Sequence, residues 1–274
     1  MRDPVPGGAQ VRVRRRGRTA SVAERVVAFA DGMGHVAAGQ GGRMNMKNVL
    51  VVAAHPDDEV LGVGGTIPLI KEQGGNVSVV IVTDGSSTQY ADDPDILARK
   101  QQHAEKANQI LGTDELIQWD FPDMRLDTVE HCRLNQAFES LIHQRRFDTV
   151  FVQNGDDINM DHQLIYKSVM VATRPLPDQP VNQVLSYQVN SSTEWGGRTQ
   201  NTIFCPNYFV DISRTLEKKL AAMEVYVDEL REYPHPRSIQ ALRQRAMVYG
   251  NEVGYESAEP FKLLLFRGAL GQAA

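Results

Sequence analysis

The residues of this chain best suited to chemistry lie in two short strings: Ala54-His55-Pro56-Asp57-Asp58-Glu59, and a later stretch holding Asp156, Asp157, Asn159, Asp161 and His162. Imidazole and carboxylate are the ligands of a catalytic zinc, which takes three protein groups and keeps a position for water. Singly, each residue has an ordinary explanation, as a strand-end histidine bonded to backbone or as acidic N-caps favoured by a helix dipole. Together, three carboxylates in one turn repel one another unless a cation or hydrogen-bond donors compensate. The expected metal ligands are His55, Asp58 and His162.

Such a set forms only if the fold brings the strings together. Val49 to Ala54 is an unbroken apolar run, the pattern of a central strand buried on both faces. A helix over 58–73 and a strand over 77–83 complete a β-α-β unit. Helices over 95–111, 130–146, 162–173, 213–230 and 238–249 then alternate with strands over 116–119, 149–153, 184–189 and 208–212. This alternation predicts an α/β, Rossmann-like fold, a mostly parallel sheet with helices on both faces. Ligands of such sheets sit at the carboxyl ends of the strands, so loops 55–59, 84–94 and 154–161 should share one rim.

Residues 1–45 differ from the rest, with Arg12, Arg14, Arg15, Arg16 and Arg18 clustered early and Gly39, Gly41 and Gly42 near the end. They read as a disordered N-terminal extension before one folded domain over 46–270. A formal net charge of −5 argues against nucleic acid as a partner. The two cysteines, Cys132 and Cys205, form no disulfide framework and no C-x-x-C metal site, which fits a reducing cytoplasm. No apolar run reaches the roughly 20 residues of a transmembrane helix. A small-molecule partner is expected, and a homo-oligomer is compatible with the composition. Gly62, Gly64 and Gly65 match neither G-x-G-x-x-G nor a P-loop, which leaves close helix-to-sheet packing as their use.

The first string, with Asp161-His162, the Thr83-Asp84-Gly85 turn and the Leu111-Gly112 helix end, resembles the LmbE/PIG-L family of zinc-dependent N-deacetylases. Thr173-Arg174-Pro175 and the run Tyr233-Pro234-His235-Pro236-Arg237-Ser238 are similar to a bacterial subgroup associated with glycan biosynthesis. The resemblance implies that His55, Asp58 and His162 hold Zn2+, a site that iron or cobalt also suits, and that Asp57 is the general base. It implies a substrate that is an N-acetylated sugar or glycan-biosynthesis intermediate, hydrolysed to a free amine and acetate. Many relatives carry a histidine where this chain has Asn159, which can donate a hydrogen bond to an oxyanion but cannot release a proton at neutral pH. Proton delivery to the amine then falls to Asp57 or His235. Arg237 is expected to contact substrate or the oxyanion. Asp84, with Ser86, Ser87 and Thr88, is expected to reach sugar hydroxyls, although turn chemistry explains these residues almost as well. Trp195 lies in a polar loop and either offers a face to a sugar ring or anchors the loop by burial. Two other readings stay open: a metal-containing binding or scaffold protein without catalysis, and a deacetylase of a non-sugar amide.

Overall fold

The computed structural model describes residues 46–85, 93–197, 199 and 202–268. The extension expected over 1–45, and Ser86, Ser87 and Thr88, lie outside the described residues. From Met46 onward the chain forms one compact unit.

Seven strands make one sheet: β1 (Asn48–Ala53), β2 (Asn76–Thr83), β3 (Glu115–Phe121), β4 (Thr149–Gln153), β5 (Gln183–Tyr187), β6 (Tyr208–Asp211) and β7 (Ala258–Phe266), in the order β3-β2-β1-β4-β5-β7-β6. The first five pair in parallel, while β7 runs antiparallel between β5 and β6. Helices α1 (Asp58–Val63), α2 (Thr66–Glu72), α3 (Ile96–Leu111), α4 (His131–Arg145), α5 (Met160–Ala172), α6 (Leu216–Val225) and α7 (Ile239–Val253) cover it. The α/β class and its mostly parallel sheet are as the alternation predicts.

A strand turns successive side chains to opposite faces, and β1 buries both sets. Leu50 and Val52 join Val80, Val150 and Val184 beneath Phe138 and Ile142 of α4 and Ile165 of α5. Val49, Val51 and Ala53 face the other way and are equally buried. A second connected set of helices follows, with α3 packed on α6, and α6 on α1 and α7. The chain runs from β1 through β2 to β3 in one direction and from β4 to β5 in the other. The order therefore reverses between β1 and β4, the place where open α/β sheets form a ligand crevice.

Two elements differ from expectation. The single helix over 58–73 is two, broken at Gly64-Gly65, because Pro68 offers no N–H to the carbonyl four residues earlier and its ring crowds that carbonyl. The buried Glu259 carboxylate takes over the freed donors, accepting from Gly65 N and Thr66 N at 2.8 Å each and from Thr66 Oγ1 at 2.6 Å. Strand β7 has no counterpart among the predicted strands, since Glu259 and Pro260 interrupt its apolar pattern. Pro260 is tolerated because it lies past the last β5 pair, Tyr187 with Phe261.

The glycines serve packing. A Cβ on Gly62 would fall 2.0 Å from the Tyr187 ring, and one on Gly65 would fall 2.8 Å from Ile212. Close backbone approach holds α1 down on β5, so the residues preceding α1 reach the rim.

Candidate metal centre and its pocket

The carboxyl ends of four parallel strands supply the site: His55 to Asp58 after β1, Asp123 after β3, Asp157 to His162 after β4, and Val189 to Trp195 after β5. They surround a cavity of about 420 Å³ that Lys100, Glu229 and Arg237 close from the helical side.

His55, Asp58 and His162 converge at its floor, with one ligand-capable atom from each lying within 4.8 Å of the other two. His162 Nε2 is 3.2 Å from His55 Nδ1 and 3.4 Å from Asp58 Oδ2. Asp58 Oδ2 is fixed by the backbone N–H groups of Ala54 and His55, each at 3.0 Å, and by Gln153 Nε2 at 3.2 Å.

The far nitrogen of each imidazole lies close to a carboxylate. His55 Nε2 lies 3.1 Å from Asp123 Oδ1 and 3.4 Å from Asp161 Oδ2. His162 Nδ1 lies 3.2 Å from Asp157 Oδ2. Metal-bound histidines give their second N–H to such acceptors, which fixes the tautomer and turns the other nitrogen to the ion. Asp157 is held in turn by the hydroxyls of Ser192 and of Thr193, the latter at 2.7 Å, and by Asn159 N at 2.9 Å.

Electrostatics point the same way. Burial opposes charge on His162, yet Asp58 and Asp157 raise its pKa to about 9. Burial likewise opposes charge on His55, and Asp123, Asp161 and Asp58 still hold it well above the usual value. Burial disfavours ionisation of Asp58, but His162 and His55 pull its pKa well below the carboxylate range. A pocket that draws protons onto buried imidazoles this strongly is one that would bind a cation in their place. Two imidazoles and an ionised carboxylate, each oriented from behind, fit a divalent metal. His55, Asp123 and Asp161 form a second convergent set, but Asp161 already accepts from Met124 N at 2.7 Å and Leu126 N at 3.2 Å.

Asp57 borders the ligands without joining them. Its backbone takes φ 117°, a strained conformation for any residue but glycine, and its side chain turns to Arg237, with Oδ2 3.4 Å from Nη1. Burial, then Glu229 and Asp58, raise its pKa well above the carboxylate range, against the pull of Arg237. Arg237 Nη1 also bonds Glu229 at 2.8 Å, and Lys100 Nζ lies 3.0 Å from the same carboxyl group. Behind Asp57, burial raises buried Glu59 to about 7 despite a hydrogen bond from the Tyr226 hydroxyl at 2.6 Å.

Of the other expected site residues, Asn159 lines the pocket and caps α5, its Oδ1 accepting from Asp161 N at 2.9 Å. Its amide nitrogen lies 3.6 Å from Met124 Sδ. His235 is not among the described residues lining the cavity. It stands behind the wall, edge-on to Trp195 at 5.7 Å between ring centroids, with Nδ1 accepting from Arg237 N at 3.1 Å. Flanked by prolines, it contacts both Arg237 and Trp195. Asp84 does not line the cavity either, and its backbone N–H is spent on Phe121 O. Trp195 lines the pocket while 52% exposed, so it is a wall and not a buried anchor.

Asp123, Lys100 and Glu229 carry no motif. Asp123 was nonetheless within reach, since Phe121-Pro122-Asp123 follows a parallel strand whose carboxyl end lies on the same rim. Asp157 is a loop acid that helix capping alone would explain; its link to His162 shows only in three dimensions.

A doubly covered sheet with a braced imidazole–carboxylate cluster at its switch point is the architecture of an α/β enzyme. Comparison with known proteins adds a family match. Residues 50–173 match the PIG-L family, described as GlcNAc-PI de-N-acetylase, so the chain carries a PIG-L (LmbE) family domain. It is 26% identical over 238 residues to the diacetylchitobiose deacetylase of Thermococcus kodakarensis, covering 80% of this chain and 84% of that protein. It is 29% identical over 154 residues to the uncharacterized deacetylase YaiS of Escherichia coli K12, covering 53% and 76%. The fold also matches 4-carboxy-2-hydroxymuconate hydratase GalB of Pseudomonas putida KT2440 with a TM-score of 0.65 and 21% identity, over 83% of this chain and 100% of that one. The fold thus serves more than one reaction, and the reading of this chain rests on its site.

Proposed function

We propose that this protein is a zinc-dependent hydrolase that removes the acetyl group from an N-acetylated sugar or glycan-biosynthesis intermediate, giving a free amine and acetate. The observation that carries it is the convergence of His55, Asp58 and His162 at the floor of a pocket that Asp57 also lines. The deacetylase relative named above, similar along most of the chain, supports the sugar substrate.

His55, Asp58 and His162 would hold the ion, with Asp123 and Asp157 fixing the imidazole orientations. When bound, a divalent ion polarises the amide carbonyl and acidifies water. Asp57 takes a proton from the attacking water as the new C–O bond forms. Burial, with Glu229 and Asp58 nearby, raises its proton affinity above that of an ordinary carboxylate, the direction that taking and holding a proton requires. Arg237 limits the cost of the buried charge while Asp57 is ionised. An Asn159 amide N–H is on hand to donate to the developing oxyanion. The C–N bond then breaks, and the proton held on Asp57 passes to the departing amine. Asp57 serves in both directions because His235 lies behind the wall. Arg237 remains available to substrate through the guanidinium face on the pocket.

Asp57→Asn keeps the size and shape of the side chain at the same backbone conformation, so the variant tests the charge and not the turn. Acetate release should fall by about 10²- to 10⁴-fold with metal content unchanged, and a chelator should abolish the wild-type activity reversibly. Near-normal turnover in the variant would remove Asp57 as the base. Metal binding without acetate release from any acetamido sugar would favour the scaffold reading.

A further inference from the structure

We infer that the natural substrate is a neutral N-acetylated glycoside whose aglycone is apolar, and not a free sugar or a sugar nucleotide, an inference that deepens the deacetylase reading and rests on it. Beyond the metal ligands, the pocket mouth is ringed on one side by three large apolar side chains that are mostly exposed: Met124 at 54%, Ile158 at 58% and Trp195 at 52%. They stand on adjoining segments of the chain. The Met124 sulfur lies 3.6 Å from Asn159 Nδ2, and Gly196, next to Trp195, abuts the backbone of Asp156 and Ile158. Exposed apolar residues scattered singly are ordinary, but a cluster at the rim of a cleft marks a binding surface.

The collar is also built rigid. Thr193 and Ser192 bond Asp157, Glu194 lies 3.3 Å from Arg245 Nη2 and accepts from Ser191 N at 3.0 Å, and His235 meets the Trp195 ring edge-on. An aromatic wall pre-organised in this way loses little conformational freedom on binding.

Charge separates the candidate substrates. Among the described residues, four carboxylates, those of Asp57, Asp58, Asp123 and Glu229, and two cations, Lys100 and Arg237, line the pocket. With all four ionised, a divalent ion at the floor would bring that balance to zero. Both cations already lie against Glu229, Lys100 Nζ at 3.0 Å and Arg237 Nη1 at 2.8 Å. A diphosphate would enter with no surplus positive charge to meet it. An alkyl or aryl aglycone leaving the sugar towards Ile158 and Trp195 would instead remove apolar surface from water on both partners.

The test uses the full-length, metal-loaded protein and four probes: N-acetylglucosamine, its phenyl and octyl glycosides, and its uridine diphosphate ester. Binding is followed by tryptophan fluorescence and acetate is measured in the same samples. Trp119 packs on Phe138 in the core, so the signal should come from Trp195 and vanish in Trp195→Phe. The phenyl and octyl glycosides should bind about tenfold or more tightly than the free sugar and the nucleotide, the scale that apolar pocket contacts give. Ile158→Asn, at an exposed position, should erase most of that advantage. Equal or tighter binding of the free sugar or the nucleotide overturns the inference, as does an aglycone advantage that survives Ile158→Asn. Tight aglycone binding without acetate keeps this subsite and removes the deacetylase reading. Acetate release without aglycone preference does the reverse.

Discussion

At the residue scale, the weight of the site falls on groups that never touch the reacting atoms. Asp157 stands 3.2 Å from His162 Nδ1 and is held by Ser192 and Thr193. Asp157→Ala should leave His162 in place but free to turn, and metal affinity should drop by about 10- to 100-fold. Competition with a chromogenic chelator measures this directly, and unchanged affinity would show that Asp157 only caps the loop. The convergent set of His55, Asp58 and His162 could be proposed from the sequence, because acids packed into one turn with histidine need a compensating charge. Their supports could not, because an isolated Asp157 or Asp123 has the chemistry of any loop acid until the fold sets a ring nitrogen beside it.

At the element scale, α1 is the piece whose placement matters most, since its first residue is Asp58 and the residues before it are His55 and Asp57. Gly62 presses on Tyr187, whose ring is buried and whose hydroxyl donates to Val52 O at 2.6 Å. Neither partner can yield cheaply. Gly62→Ala should therefore cost about 1–3 kcal/mol, read as a fall in thermal midpoint with a parallel loss of metal affinity as α1 shifts. Glu259→Gln tests the break after α1, since Glu259 also meets the buried Lys219 at 2.6 Å. Removing one charge strands the other, and the expected loss is about 3–5 kcal/mol, measurable by denaturant unfolding. Strands with continuous apolar runs were readable because both their faces are buried. The split helix and β7 were not, because the donors freed at the break are taken up by a Glu259 some 190 residues away in sequence, a distance that local periodicity does not span, and Glu259 and Pro260 interrupt the apolar pattern of β7.

At the scale of the whole molecule, the site gathers loops from both halves of the sheet, so an ion bound there ties β1 to β4 across the point where strand order reverses. Only the folded chain offers the three groups together, so added zinc should raise the thermal midpoint increasingly with its concentration, the stabilisation behind it reaching about 2.7 kcal/mol at a hundred times the dissociation constant. A midpoint indifferent to zinc, cobalt and iron would argue against a metal at this position. No helix among the described residues is long and apolar enough to cross a membrane. The loop after β5 carries a consequence for how this protein can change. Ser192 and Thr193 grip the carboxylate beside His162, and two residues later Trp195 forms a wall of the pocket. Lengthening or re-registering that loop to admit a new substrate would loosen the metal at the same stroke. New specificities are therefore reachable by exchanging the side chains of Met124, Ile158 and Trp195 on an unaltered backbone, and directed evolution that tolerates insertions there should yield metal-poor enzymes first.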